Sequence, residues 1–505
     1  MAFEPVYDTA VLDTFRKLGT GQAVVEARLL PRPETRIAKV LSTSSAVTIG
    51  AAEAFAGEAR YSGRVNFKVL FETADSTVET LDYHADFSDK IEARDVSAAT
   101  KTVFAANILD MDIIAAEEDV IKLAAVVEVT LYGCEREQVN YLARGGEGVY
   151  THEDRVTCGT LAATADETFI VSETVTDLAG CEILDAEAEA FTYKRTAEDD
   201  SVTLSGEVAV CLVLKDGQGM LSSKRIFLPV EQQCRADGAR LGDCVTGGLS
   251  LKNTSLSMSG EGEERVAEIE LTLSAECLCF RTVEITPTVD VFSLENELLP
   301  TVESLAVGLA KGDVTVESDI EGSVAIEDKL PLADAVLGSF GARVNVSSAV
   351  AMSGKVRVEG MLGSNIVYYN AERNVSSTVY AQVPFSVTVS ADVDEGDSLG
   401  AKAAVKDINV KLRRGNELGI RASIVIMLTP VTEQTRAIIT ELKLGEKRVP
   451  REAAVSVHIA ARGETVWDIA KALGITPEEV VRQNPSVTLP CSGGERLLAY
   501  RRMTR

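Results

Sequence analysis

Three histidines and nine cysteines are the residues of this 505-residue chain best suited to chemistry. A histidine beside a serine or cysteine activates a nucleophile, and histidines with cysteines at short spacing hold zinc. His84, His152 and His458 lie far apart in unlike surroundings, so no nucleophile–base pair assembles from their spacing. His458 falls in the middle of a short strand, where packing or exposure is the simpler reading than ligation. Cys277-x-Cys279 is the one close cysteine pair. From Ala267 to Cys279 the odd positions are apolar and the even ones mostly polar, which puts the pair on the buried face of a half-exposed strand. It reads as buried free thiols, since two further ligands at metal spacing are missing. Glu117-Glu118-Asp119 and Glu198-Asp199-Asp200 lack calcium-loop spacing and read as solvated turns. Gly145-Gly146-Glu147-Gly148 reads as a flexible loop without phosphate-binding context. The expectation is a chain that is not an enzyme and carries no cofactor and no metal.

The most specific spacing lies near the end: Arg462-Gly463-Glu464-Thr465-Val466-Trp467-Asp468-Ile469-Ala470, then Gln483-Asn484-Pro485, then Ser492-Gly493-Gly494-Glu495-Arg496-Leu497. It implies a βααβ unit that binds a partner. Val455–Ile459 reads as a strand, and Thr465 as the cap of a helix whose inward face is Trp467, Ile469, Ala470 and Leu473. Gly474 ends that helix. Thr476-Pro477-Glu478-Glu479 is a capping box with proline at the first helical position. Asn484-Pro485 stops the second helix, and Leu497–Tyr500 is the returning strand. Trp467, the sole tryptophan, is expected to anchor this small core.

Net charge is −27, so nucleic acid and bare anionic membrane are poor partners. Residues 457–505 are an exception at +2, which leaves −29 on the rest. The start Met1-Ala2-Phe3-Glu4-Pro5 lacks the pattern of a secretory leader, and no run approaches the roughly 18 apolar residues of a membrane span. These features, with the scattered odd number of cysteines, point to a reducing cytosolic compartment and no direct membrane insertion.

The body repeats itself. Tyr61-Ser62-Gly63-Arg64-Val65, Leu204-Ser205-Gly206-Glu207-Val208 and Met352-Ser353-Gly354-Lys355-Val356 share one pattern, each followed by period-2 alternation. Each is trailed by an apolar strand (Leu123–Leu131, Ile269–Leu273, Ile420–Leu428) and preceded by another (Ile37–Leu41, Cys181–Leu184, Asp334–Leu337). Short alternating runs between Gly, Asp, Asn and Ser turns predict antiparallel sheets with one wet face. Alternation assigns Lys68, Glu128, Glu207, Glu268, Glu270, Arg357, Glu359 and Arg421 to that face. The fold class is mainly β: three repeated antiparallel sandwich- or barrel-like domains over 1–150, 151–300 and 301–442, a linker over 443–454 containing Pro450, and the small βααβ domain with a basic tail over 455–505. Pro300 and the glycines near 308–312 mark the seam between the second and third copies. Thr9–Leu18 reads as a short amphipathic helix ended by Gly19.

The run Gly463-Glu464-Thr465-Val466-Trp467-Asp468-Ile469-Ala470, with Asn484-Pro485 and Ser492–Leu497, resembles the LysM family. Cys491-Ser492-Gly493 departs from the family's second loop. The Ser-Gly-x-Val repeats resemble SPOCS domains of spore coat proteins, and several such repeats before one LysM resemble the SipL family. The resemblance implies a partner groove between two loops: Gly463, Glu464, Thr465, Val466 and Trp467 on one side, Leu489, Pro490, Cys491, Ser492 and Gly493 on the other. It also implies a non-enzymatic adaptor in the mother-cell cytoplasm at the forespore surface and spore coat. Its partner would be the coat-basement ATPase, stage IV sporulation protein A. The rival reading is a cell-wall protein that binds peptidoglycan or other N-acetylglucosamine polymers.

Overall fold

A computed structural model describes residues 3–178, 180–260, 266–327, 329–414, 416–449 and 455–500. The chain is mainly β, three quarters strand and 3% helix, in several antiparallel sheets. The first block runs through β1 (Val6–Leu29), β2 (Ile37–Phe55), β3 (Glu58–Thr73), β4 (Val78–Glu92), β5 (Lys101–Glu117) and β6 (Val120–Arg144). It forms two sheets, β1-β6-β5 and β2-β3-β4. After the short β7 (Val149–Glu153) come β8 (Val156–Val175), β9 (Glu182–Glu198), β10 (Ser201–Lys215), β11 (Leu221–Arg235), β12 (Cys244–Ser259) and β13 (Val266–Ile285). Their sheets, β8-β13-β12 and β9-β10-β11, have the same order. After β14 (Thr288–Ser293), the third block holds β15 (Asn296–Ala310), β16 (Val314–Ala325), β17 (Ala335–Met352), β18 (Lys355–Asn370), β19 (Val375–Ser390), β20 (Ser398–Arg413) and β21 (Glu417–Lys447). Here β15 and β16 share the place of one first strand against β21, β20 pairs with β21 as well, and β17-β18-β19 forms the other sheet.

Each block encloses its own apolar core between its two sheets. The first is built on Val65, Phe67, Leu123 and Val127, the second on Val208, Val210, Ile269 and Leu271, the third on Val356, Val358, Ile424 and Ile426. Strict alternation feeds these cores. In β13 the apolar positions Ala267, Ile269, Leu271, Leu273, Cys277 and Cys279 are buried while Glu268 and Glu270 are exposed, so both thiols are core residues. Burial pushes Cys277 up to about 12 and Cys279 to about 11, which makes both poor nucleophiles.

Gly63 and Gly206 occupy the same place in their blocks. Each faces an irregularity of the neighbouring strand, between Ile49 and Ala51 for Gly63 and at Tyr193 for Gly206. The third glycine of this kind is Gly360, opposite the irregularity between Val346 and Ser348. Gly354, which the sequence motif selects, instead makes the β17–β18 turn with φ +71°. A local Ser-Gly-x-Val match thus slips by six residues, because a hairpin turn and a bulge both call for glycine.

Several other expectations change. Thr9–Leu18 is not a helix but part of β1, paired residue by residue with β6 from Val11↔Gln138 to Lys17↔Tyr132. Its apolar residues Leu12 and Phe15 are buried against other blocks, and that packing overrides helical spacing. Pro300 and Gly308 lie inside β15, so the boundary at 300 cuts a strand. Proline is tolerated there because β15 pairs only with β21 and keeps one edge free of ladder bonds. The expected linker begins as strand, since β21 continues to Lys447 opposite Asn296; Pro450 and the arginines after 500 lie outside the described residues. The boundary at 150 falls within β7, which pairs with β14 to make a two-stranded ribbon from both inter-block connections.

Equivalent residues of the three blocks meet. Leu70, Val213 and Val367 each lie seven residues beyond the bulge-facing glycine, and they form one cluster with Leu41, Leu184 and Leu337. A second cluster joins Leu12, Cys158 and Val307 with Val139, Ile285 and Ile438, again two from each block. The blocks therefore surround a shared junction. This alters the expected wet face. Lys68 forms a partly buried ion pair with Asp185 of the second block, and Glu207 with Lys406 of the third.

A crevice of about 550 Å³ opens at this junction, lined by residues of all three blocks, among them Ser44, Lys68, Glu187, Arg225, Asn345 and Lys402. Desolvation pushes the Glu187 carboxyl above its ordinary value of 4.5, and the charge of Asp185 adds to the rise. A carboxyl raised in the fold opposes folding once pH exceeds the unfolded value, and the opposition is complete above the folded one. Glu187→Gln is therefore expected to raise Tm by about 2 °C at pH 7 and to leave it unchanged near pH 4. Differential scanning calorimetry at the two pH values checks this; equal shifts at both would remove the electrostatic explanation.

Candidate binding site in the terminal unit

The terminal unit runs β22 (Val455–Ile459), α1 (Val466–Leu473), α2 (Pro477–Gln483) and β23 (Arg496–Tyr500), with β22 and β23 antiparallel. Both helices are short, so their caps matter. Thr465 and Asp468 cap α1 reciprocally, and Gly474 closes it at φ 64°. Thr476 and Glu479 do the same for α2, with Pro477 at its start. Ile469, Ala470, Leu473, Val480, Leu497 and Ala499 form the buried centre.

Asn484 has a physical role that its position before proline only hinted at. Its Nδ2 donates to Val480 O at 2.9 Å and Leu498 O at 3.0 Å, and its Oδ1 accepts from Leu498 N at 2.7 Å. One amide thus ties α2 to β23. Asn484→Ala is expected to remove about 2–3 kcal/mol from a unit near the minimum size for a core. Tryptophan emission should then shift at a lower temperature than the far-UV signal of the β body. Coincident transitions, unchanged from the parent chain, would refute it.

The two loops named from sequence are neighbours. Gly463 N donates to Cys491 O at 2.8 Å, and Cys491 N donates to Glu464 O at 3.0 Å. Gly463, with φ +87°, Thr465, Pro490, Ser492 and Gly493 are exposed. Cys491 is buried in the core, with Val466 and Leu489 packed partly against it. Glu464 is already engaged: its Oε2 contacts His458 Nε2 at 2.7 Å and accepts from Ala461 N at 3.0 Å. Glu495 occupies the second loop, accepting from Ser492 N and Gly493 N, each at 2.8 Å. Its own backbone amide, and then those of Ser492 and Gly493, hold its carboxyl below the ordinary value.

Trp467 is half-buried and packs on the core that holds Ile469 and Leu473, a core that also takes in Phe292 of the β7–β14 ribbon. Its Nε1 donates to Asp290 Oδ2 at 2.7 Å, His152 stacks on it at 5.2 Å, and Phe292 meets it edge-on at 4.9 Å. Lys471, one turn further along α1, reaches both Asp290 oxygens at 2.7 and 2.8 Å. Desolvation pushes the Asp290 carboxyl up, but Lys471 and the Trp467 N–H outweigh it and hold it below the ordinary carboxylate range. Asp290 and Phe292 were invisible as site residues in the sequence, because nothing local to them signals a contact with residue 467. His152 stands isolated in the sequence for the same reason.

Outside this unit, one stretch of the body has a known counterpart. Residues 339–413 match the family model described as SipL, SPOCS domain. The match spans most of β17, all of β18 and β19, and β20 to its end. A SPOCS domain suggests a role in sporulation and the spore coat. No curated protein and no solved structure matches the chain. Among the described residues no helix is long and apolar enough to cross a membrane.

Proposed function

We propose that the chain is a non-enzymatic adaptor of spore coat assembly, working in the mother-cell cytoplasm at the forespore surface. Its partner is the coat-basement ATPase, stage IV sporulation protein A, and a LysM-like terminal unit makes the contact. The observation that carries this reading is the SPOCS match within the third block. The LysM resemblance of the terminal unit adds the contact. The blocks act as a stiff body that holds this unit, since three separate cores are joined by shared apolar clusters.

The terminal unit offers a protein-sized surface. Val455, Val457 and Ile459 alternate along β22 and are 50%, 58% and 66% exposed, with Tyr500 opposite Val455 at 54%. An exposed apolar row of this kind favours a polypeptide partner. The rival partner, an N-acetylglucosamine polymer, needs free loop donors, whereas Gly463, Cys491, Ser492 and Gly493 already spend their amides inside the unit. Capture of the purified ATPase by the full chain tests the proposal. Val457→Glu with Ile459→Glu should abolish capture. Undiminished capture would exclude this face, and binding of chitin oligomers by the parent chain with no capture at all would favour the rival.

A further inference from the structure

The crevice between the three blocks holds acceptors that the fold leaves without counterparts. It opens where three strands are irregular: β5 after Ile108, β12 after Leu251 and β20 after Val405, and these three residues line it. A bulge bends its strand, and three bulges at one junction keep the blocks from closing on about 550 Å³. The lysines and arginines of the lining are engaged. Asp185 holds Lys68 and Asp407 holds Arg225. Lys252, Arg343 and Lys402 are held by Glu276, Asp110 and Glu189. Two lining carboxyls are left over: Asp82, exposed at the rim, and the half-buried Glu187, which accepts from the Ser44 hydroxyl. Desolvation pushes both above their ordinary values, Asp185 adds to both rises, and the pull of Lys68 on each does not cancel them. Around Glu187, Arg225 pulls the same way as Lys68, and Cys211 is a thiol pushed up to about 11 and so neutral. A third acceptor is idle. Asn345 gives its Nδ2 to Leu109 O and leaves Oδ1 buried with no partner among the described residues.

We propose that this crevice binds a small organic di- or polyamine, whose ammonium groups pair with Glu187 and Asp82 and find a further acceptor in Asn345 Oδ1. An ammonium brings positive charge and three donors and no acceptor, which matches two unpaired carboxyls and an idle amide oxygen. Ile108, Ala188 and Val405 give its methylenes an apolar wall, and the volume is that of a small-molecule site. Among the described residues no three His, Cys, Asp or Glu side chains gather as metal ligands, so an organic cation suits the site better than a metal ion. An ammonium pairs with the ionised carboxyl, so a site whose carboxyls are partly protonated releases protons as it fills. Affinity therefore rises with pH and levels off once both are ionised without ligand. The inference stands whichever partner the terminal unit takes.

Isothermal titration of the full chain with spermidine in physiological salt tests this, run in two buffers of different ionisation enthalpy so that released protons are counted. Glu187→Gln and Asp82→Asn should each weaken binding about tenfold. Glu187→Gln should also lose most of the proton release; His84 lines the crevice too, and this count separates the carboxyl from the imidazole. Glu187→Gln is expected to stabilise the fold, so its loss of affinity is not unfolding. Glu117→Gln, exposed at the end of β5, should bind as the parent does. Equal affinity in all four proteins would mean diffuse attraction to an acidic chain and would overturn the site. So would the absence of saturable binding at millimolar spermidine, or binding by the parent that releases no proton.

Discussion

Alanine at Gly206 is expected to destabilise the second block by about 3 kcal/mol or more, although it adds a single methyl group. The reason is a backbone collision. A Cβ there would sit 1.9 Å from Phe191 O, a backbone oxygen of β9, which is ladder-bonded to β10 itself, so no side-chain rotation relieves it. The equivalent positions should follow in order of crowding. Gly360 would meet Asn345 O at 2.2 Å, and Gly63 would meet Thr48 O and Phe87 at 2.7 Å. Gly354→Ala is the control. It meets nothing within 4 Å and carries only the strain of φ +71°, about 1 kcal/mol. Thermal melts of the four single variants decide the matter. A Gly354→Ala loss as large as that of Gly206→Ala would show that the turn, not the bulge, is the critical glycine of the pattern.

Lys406→Met is expected to loosen the third block from the second, at a loss of about 2 kcal/mol. Lys406 Nζ lies 2.8 Å from both Glu207 and Glu317, and it sits over the rings of Tyr193 at 5.5 Å and Phe227 at 5.6 Å. Methionine keeps the packing of the stem but takes the cation from Glu207, whose side chain is only 18% exposed and keeps the Tyr193 hydroxyl at 2.6 Å. Desolvation pulls the Lys406 pKa down, and Glu207, Glu317 and Tyr193 more than reverse it, so the net shift is upward. A raised lysine stabilises fully below its unfolded value of 10.5 and loses that contribution as pH climbs through the folded value. The gap between parent and variant should therefore be constant through neutral pH and close only in strong alkali. Hydrogen exchange along β10 and β20 measures the loosening; no change there would place the inter-block energy in the apolar clusters alone.

Which parts of this molecule could be read from its residues follows from the range of each signal. The caps of the terminal helices are local devices, and Thr465, Gly474, Thr476 and Pro477 take the places that their types dictate. The apolar runs Leu123–Leu131, Ile269–Leu273 and Ile420–Leu428 lie in β6, β13 and β21, each the central strand of its sheet. Alternation states which side of a strand is polar, but not what covers that side. It puts Lys68 and Glu207 on the polar side of their strands, and there they face another block. Thr9–Leu18 carried a convincing helical spacing because Leu12 and Phe15 answer to partners in other blocks rather than to one helix face. Trp467 packs on the core of its own unit, as its spacing implies, but nothing local signals that residues 290 and 292 wait beside it.

The shared junction also sets a timetable. Leu12 and Phe15 leave the ribosome near the beginning, yet the residues that cover them include Leu305, Ala310, Val431 and Ile438. At about 10 residues per second their shelter arrives roughly 30–40 s later. The first block can finish its own core in that interval, but its seams toward the other two stay open and sticky until synthesis is almost over. Because side chains of β21 cover β1, the assembly is slow to begin and hard to complete in part. A chain cut short before β21 would be left with its oldest surface unmatched, as a circle of three with one place empty.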